Sequence, residues 1–263
     1  MEGRVALVTG SSKGIGRAIA RSLARGGAKV VVTARGPEAL EQAAQEANGY
    51  GGNVLPIAAD ATDPNAVRAV VESAVRHFGG LDILVNNVGG ANRIAEFAEL
   101  TKEDWIHTFE LNVMTVVYFV QAALPWLRKS AGGRIINMAS ITGVEPSQLA
   151  PHYAASKAAI INLSKHLANL CAPNGILVNV VCPGQVSSEA RQGLADYVAR
   201  THNIPLADAR VRIDAEGASR IPLGRLGVCE DVAELVSFLA SEKAGWITGE
   251  CFHVDGGKHR SAF

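Results

Sequence analysis

The sequence predicts an α/β fold, a doubly wound parallel sheet of about seven strands with helices on both faces, formed as one catalytic unit over 1–263. Three observations predict it. Short β-branched runs alternate with longer stretches of helical spacing from end to end. The composition, 48% hydrophobic and only 19% charged, suits a chain that buries a large core. A glycine-rich turn joins the first strand-like run to the first helical stretch.

In chain order, strands are expected at 5–8, 29–33, 54–58, 83–85, 134–138, 177–181 and 251–254, and helices at 18–25, 37–47, 65–78, 102–128, 154–170 and 231–240. Strand, helix, strand alternation needs right-handed crossovers, and these place helices on both faces of a parallel sheet, the Rossmann-type arrangement. One segment breaks the rhythm. From 187 to 227 no strand interrupts a polar, arginine-containing stretch that ends at Pro222, and so long a connection is usually functional. It reads as two short helices forming a lid. No internal repeat or low-complexity linker suggests a second domain.

The formal charge is balanced, and no basic stripe with interleaved aromatics occurs, so neither nucleic acid nor a membrane is an expected partner. A small molecule is. Cys171, Cys182, Cys229 and Cys251 are far apart in sequence and form no CxxC pair, which argues for buried free thiols and no metal. No histidine shows metal-ligand spacing, and His152 reads as a packing or pocket-rim residue. Ahead of Val5 there is no leader-like segment, and no run of eighteen apolar residues occurs, so the expected location is the cytoplasm.

The run Val8-Thr9-Gly10-Ser11-Ser12-Lys13-Gly14-Ile15-Gly16 leaves the first strand and opens the first helix. Gly10 permits the tight turn, Gly14 lets backbone approach a pyrophosphate, and Gly16 allows close packing of helix on sheet. Free N–H groups and the helix dipole then favour an anion at that helix start. At the end of the second strand stands Thr33-Ala34-Arg35, with no carboxylate for a ribose diol. Arg35 can offer its planar fork to a 2′-phosphate, with Lys13 adding a second positive charge. NADP(H) is the preferred cofactor on this reading, and NAD(H) stays open.

The order Thr9-Gly10-x-x-x-Gly14-x-Gly16, Asp60, Asn86-Asn87-Val88-Gly89, Asn112, Ser140, Tyr153-x-x-x-Lys157, Pro183-Gly184, Ile247-Thr248-Gly249 and Val254-Asp255-Gly256-Gly257 resembles the short-chain dehydrogenase/reductase family over nearly the whole chain. The residue types suit the chemistry independently. Tyr153 and Lys157, four apart, share one helical face. A tyrosine titrates near pH 10 in water, and a nearby ammonium is expected to lower that value.

The resemblance implies a reductase or dehydrogenase that moves hydride to or from a carbonyl carbon, with Tyr153 as acid and base. Ser140 would position the substrate oxygen, Lys157 would hold the nicotinamide ribose, and Asn112, in Glu110-Leu111-Asn112-Val113, would support a water beside Lys157. It also implies cofactor contacts at Ser12, Ile15, Asp60, Ala61, Asn86, Gly89, Pro183, Gly184, Val186 and Ser188. Val88 stands where the family usually has Ala, and Ser188 where it usually has Thr.

The pocket is expected between 90–93, 141–144, Gln148, Gln185 and the lid at 187–220. Relatives point to 3-oxoacyl reductases or to small cyclic alcohol and diol dehydrogenases using NAD. Carrier-dependent reductases usually carry arginines where this chain has Ala131 and Asn174, which puts a carrier-docking surface in doubt. A dinucleotide sensor without turnover is the alternative from another class. The family also implies a homotetramer, built on the helices bearing Tyr153 and Asn112 and on the last strand.

Overall fold

A computed structural model describes residues 1–49, 51–146 and 148–260. The ends of the expected 1–263 unit at 261–263, and positions 50 and 147, lie outside the described residues.

Seven strands form one all-parallel sheet in the order β3-β2-β1-β4-β5-β6-β7. These are β1 (Val5–Thr9), β2 (Lys29–Ala34), β3 (Asn53–Ala58), β4 (Ile83–Asn86), β5 (Arg134–Met138), β6 (Leu177–Pro183) and β7 (Cys251–Val254). Each matches a strand expected from the sequence to within two residues. The reason is visible in the core. Ala6, Val8, Val30, Val32, Ile83 and Val85 pack to one face, while Leu7, Val31, Leu84 and Ile135 pack to the other. A strand covered on both sides must be apolar at every position, and that gives an unbroken β-branched run.

The helices are α1 (Gly14–Arg25), α2 (Pro37–Asn48), α3 (Pro64–Phe78), α4 (Lys102–Phe109), α5 (Thr115–Leu127), α6 (Pro151–Cys171), α7 (Gln192–His202), α8 (Leu206–Ser219) and α9 (Cys229–Ala240). Helices α1 and α9 pack together on one face of the sheet, and α3 packs with α5 on the other. The strand order reverses direction between β1 and β4, which opens a crevice beyond the carboxyl ends of the strands.

Two helices differ from expectation in ways that matter for the site. The single helix expected at 102–128 is interrupted by a π-helical turn at Glu110–Met114, centred on Asn112. Such turns insert an extra residue, rotate the following helix and often mark functional positions. Helix α6 begins three residues earlier than expected, on a strained start. Ala150 holds φ +54°, a left-handed conformation that costs energy for any side chain. Its N–H donates to the Ala95 carbonyl at 2.9 Å, and its carbonyl accepts from the Tyr153 N–H at 3.0 Å, so the strain is fixed from both sides.

The segment after β6 contains a 3-10 turn at Glu189–Arg191, then α7 and α8, joined through Asn203 at φ +52°. Its two ends are tied together. Ser187 N–H donates to the Gly227 carbonyl and Gly227 N–H to the Gln185 carbonyl, each at 2.9 Å. Within the excursion, the Arg191 Nε donates to Asp214 at 3.1 Å and Nη2 to the Ile213 carbonyl at 3.0 Å.

Candidate active site

A cavity of about 1330 Å³ runs along the crevice, from the start of α1 to the α7–α8 excursion. Its first half is built by the glycine loop. Helix α1 starts at Gly14 with Lys13 as N-cap and no side-chain cap, so its first N–H groups lack a side-chain acceptor and face the cavity. Gly16 does more than pack helix on sheet. A Cβ there would lie 2.3 Å from the Gly10 carbonyl oxygen and 2.4 Å from Asn87 Nδ2. Asn87 is what shapes this loop: its Nδ2 donates to the carbonyls of Thr9 and Gly10, both at 3.0 Å. Its N–H donates to the Thr9 hydroxyl at 2.9 Å.

Lys13 and Arg35 are exposed at the cavity rim. Neither has an ion-pair partner within bonding distance among the described residues, which leaves both cations open to an anionic ligand. Asp60 and Ala61 line the same end. Hydrogen bonds from the Thr62 N–H and hydroxyl, at 2.9 and 2.8 Å, hold the Asp60 carboxyl below its ordinary range, and the Arg35 charge adds a smaller pull.

At the middle of the cavity, the ends of β5 and α6 bring Ser140, Tyr153 and Lys157 together. The Ser140 hydroxyl lies close enough to the Tyr153 phenol to favour its ionised form, and it accepts from the Thr142 N–H and hydroxyl at 3.2 and 3.0 Å. Lys157 Nζ donates to the Met138 carbonyl at 2.9 Å and lies 5.6 Å from the centre of the Tyr153 ring. Gly89 must be bare for this arrangement, because a Cβ there would meet Asn112 Oδ1 at 2.5 Å and Lys157 Nζ at 2.8 Å.

The electrostatics differ from the sequence expectation. Burial pushes the Tyr153 phenol up, and the nearby Ser140 hydroxyl offsets only part of that. Lys157 is shifted as well, since burial lowers its pKa to about 8. In the protein alone, Tyr153 is therefore a protonated donor at neutral pH, and Lys157 a cation that is easily discharged.

Asn112 is fully buried behind this group, and its side chain is committed to backbone. Oδ1 accepts from the Gly90 N–H at 3.0 Å, while Nδ2 donates to the carbonyls of Gly90 and Thr108 at 2.7 and 2.8 Å. It ties the loop after β4 to the π-turn. Asn86 also lies off the cavity. Its side chain turns into the sheet, where Nδ2 donates to Asn137, Asn137 to Ser164, and Ser164 to the Ile160 carbonyl, at 2.8, 2.8 and 2.7 Å. This buried chain clamps α6 to β4 and β5. Strand alternation explains the exchange of roles, for it points Asn86 inward and leaves Asn87 facing the crevice.

Of the remaining expected contacts, Gly10, Ser12, Ile15, Pro183, Gly184, Val186 and Ser188 all line the cavity. So do Ile141, Thr142, Gln148 and Gln185. The stretch at 90–93 does not: Ala91, Asn92 and Arg93 line a separate hollow of about 470 Å³ with Gly193, Tyr197 and Arg200. His152 is a core residue, fully buried, with Nε2 3.1 Å from Asn92 Oδ1, and burial holds it neutral. Three cations that spacing did not single out, Arg191, Arg220 and Lys258, line the far end of the cavity.

The cysteines are free thiols, as expected, with Cys171 and Cys182 buried and Cys229 and Cys251 partly exposed. Cys182 and Cys251, distant in sequence, sit on adjacent strands with their sulfurs 3.3 Å apart and His253 beside them. Parallel register, with Cys182 opposite His253 and Val180 opposite Cys251, puts all these side chains on one face. No such juxtaposition can be read from sequence spacing.

A family model described as Enoyl-(Acyl carrier protein) reductase matches residues 10–259. The chain is 39% identical over 259 residues to the 3-oxoacyl-(acyl-carrier-protein) reductase of Escherichia coli, covering 98% of each, and 34% identical over 257 residues to that of Thermotoga maritima, again covering 98% of each. Among solved structures, L-sorbose reductase from Gluconobacter frateurii complexed with NADPH and L-sorbose superposes with a TM-score of 0.92, at 35% identity, covering 99% of this chain and 98% of that one. An actinorhodin polyketide ketoreductase with NADPH gives 0.90 at 32% identity, covering 97% of each. No helix among the described residues is long and apolar enough to cross a membrane.

Proposed function

Because the chain belongs to the short-chain dehydrogenase/reductase family, in its 3-oxoacyl reductase-like branch, we propose that it is an NADP(H)-dependent ketoreductase, interconverting a ketone and a secondary alcohol with Tyr153 as proton donor and acceptor. The observation that carries this reading is the meeting of Ser140, Tyr153 and buried Lys157 on the wall of one cavity that continues to the glycine loop. Two hydroxyls meeting at one point suit a carbonyl oxygen. The α7–α8 excursion is the substrate lid of a single catalytic domain, and the assembly is a homotetramer.

The residues fit a dinucleotide. The uncapped start of α1 suits a pyrophosphate, and Lys13 and Arg35, without an ion-pair partner among the described residues, suit a 2′-phosphate. Asp60 and Ala61 flank the adenine end, the bare Gly89 leaves room beside Lys157, and Pro183, Gly184, Val186 and Ser188 border the nicotinamide end. The L-sorbose reductase and polyketide ketoreductase structures, both with NADPH, support the same choice.

When bound, the reduced nicotinamide supplies the hydride. The protein does the rest. Ser140 donates a hydrogen bond to the ketone oxygen and fixes it. Tyr153, kept protonated by burial, gives its proton to that oxygen as negative charge develops there. The Lys157 ammonium stabilises the phenolate left behind, and Asn112 holds the backbone around it. In oxidation Tyr153 takes the alcohol proton. The decisive experiment follows absorbance at 340 nm with NADPH or NADH against thioesters, cyclic ketones and free ketones, for the wild type and for Tyr153→Phe. The variant is expected to lose about 10²- to 10⁴-fold in kcat while still binding NADPH. Full activity in Tyr153→Phe overturns the mechanism. NADPH binding without turnover of any ketone indicates a sensor, and turnover of cyclic alcohols with NAD alone indicates the dehydrogenase alternative.

A further inference from the structure

The far end of the cavity is cationic. Arg191 comes from the turn before α7, Arg220 from the residue after α8, and Lys258 from the chain beyond β7. All three line the same cavity as Ser140 and Tyr153, and among the described residues the only carboxylates lining it are Asp60, at the glycine-loop end, and Glu189. Glu189, the one acidic lining residue near it, lies against Gly14 at the glycine loop.

The three cations are incompletely neutralised. Arg191 spends Nε on Asp214 and Nη2 on the Ile213 carbonyl. Among the described residues, the Lys258 ammonium and the Arg220 guanidinium have no hydrogen-bond partner. Glu145 and Asp255 act on Lys258 from outside the cavity, yet burial and the neighbouring charges of Arg220 and Arg191 prevail and push its pKa down. Like charges crowded in a partly buried site are costly unless an anion joins them.

Resting on the ketoreductase reading, we infer that the substrate carries an anionic group, a carboxylate or a phosphate, bound by Arg191, Arg220 and Lys258 while its carbonyl is held by Ser140 and Tyr153. The charged end serves orientation. An anchored anion turns the two faces of the ketone into unequal alternatives and uses binding energy remote from the reacting carbon.

The test compares matched pairs with NADPH at low salt: a short 3-oxo acid against its methyl ester, and a 3-oxoacyl-CoA thioester against the uncharged N-acetylcysteamine thioester. The charged member of at least one pair should have a kcat/KM about tenfold or more above its neutral partner, as expected for a charge-assisted hydrogen bond. Preference in the first pair identifies a carboxylate, and preference in the second a phosphate. Lys258→Met should shrink the preferred ratio about tenfold and lessen its salt dependence, and Lys258→Arg should restore it. Equal turnover within both pairs, or a ratio unmoved in Lys258→Met, overturns the inference and leaves the ketoreductase reading standing. No turnover of any of the four, while cyclic or free neutral ketones are reduced, also overturns the inference; the ketoreductase reading fails only if no ketone of either panel is turned over with NADPH bound.

Discussion

The two ends of the cavity are built on different plans. The glycine-loop end is made by residues close together in sequence: Gly10 to Gly16 in one turn, with Arg35 and Asp60 at the tips of the next two strands. It is rigid, since the Thr9, Gly10 and Asn87 contacts leave no space for a methyl group. The opposite end joins residues from three distant places, on an excursion held at its base by two backbone hydrogen bonds and braced by one half-exposed ion pair. The first plan fixes a ligand common to a whole family. The second lets the substrate end vary without disturbing the sheet.

If that contrast is right, damage at the glycine loop should be global and damage at the excursion local. The largest effect is expected for Gly16→Ala, whose Cβ would strike the Gly10 carbonyl. Overpacking against backbone should cost about 3 kcal/mol and lower Tm by about 6–12 °C, with NADPH binding lost in parallel. A thermal melt within 2 °C or so of wild type would show that the loop can yield, and would erase the contrast.

Arg35→Ala comes next and sharpens the picture within the rigid end. Its Kd for NADPH should rise about 10- to 100-fold, while that for NADH moves little, as read by cofactor fluorescence. Equal weakening of both would remove Arg35 from 2′-phosphate recognition.

A third expectation concerns the junction of the two ends. Lys157 has its pKa lowered to about 8 by burial, so its charge is present below that pH and lost above it. Tyr153, shifted upward, stays protonated over the same range. Reductive kcat/KM should therefore be flat near neutrality and fall towards tenfold per pH unit above about 8 in the free enzyme. A profile flat to pH 10 would contradict the assigned role of Lys157.

The smallest effect belongs to the excursion. Asp214→Asn breaks a partly exposed pair with Arg191 and should cost less than about 1 kcal/mol of stability. KM for the ketone should shift with Kd for NADPH unchanged. A loss of stability as large as that of Gly16→Ala would mean that the two ends are one cooperative unit.

Much of this was legible beforehand. All seven strands were, because a strand buried on both faces writes its position as a β-branched run. The Tyr153, Lys157 pair was legible because four residues make about one helical turn, so the shared face follows from the interval alone. Other features were out of reach. The π-turn at Asn112 sits inside an uninterrupted helical pattern and announces itself by no glycine or proline. The left-handed Ala150 is paid for by contacts with Ala95 and Tyr153, not by its own residue type.

By itself, then, the sequence determined the fold class, the order of the strands along the chain and the residues of the glycine loop and of the tyrosine helix, since each depends on periodicity or spacing within one element. Only the tertiary structure decided that Asn87 rather than Asn86 faces the crevice, that the sulfurs of Cys182 and Cys251 approach to 3.3 Å, that burial outweighs Ser140 in setting Tyr153, and that Arg191, Arg220 and Lys258 converge. Those outcomes depend on register between strands, on desolvation and on the path of a long excursion, and all three arise between elements rather than within them.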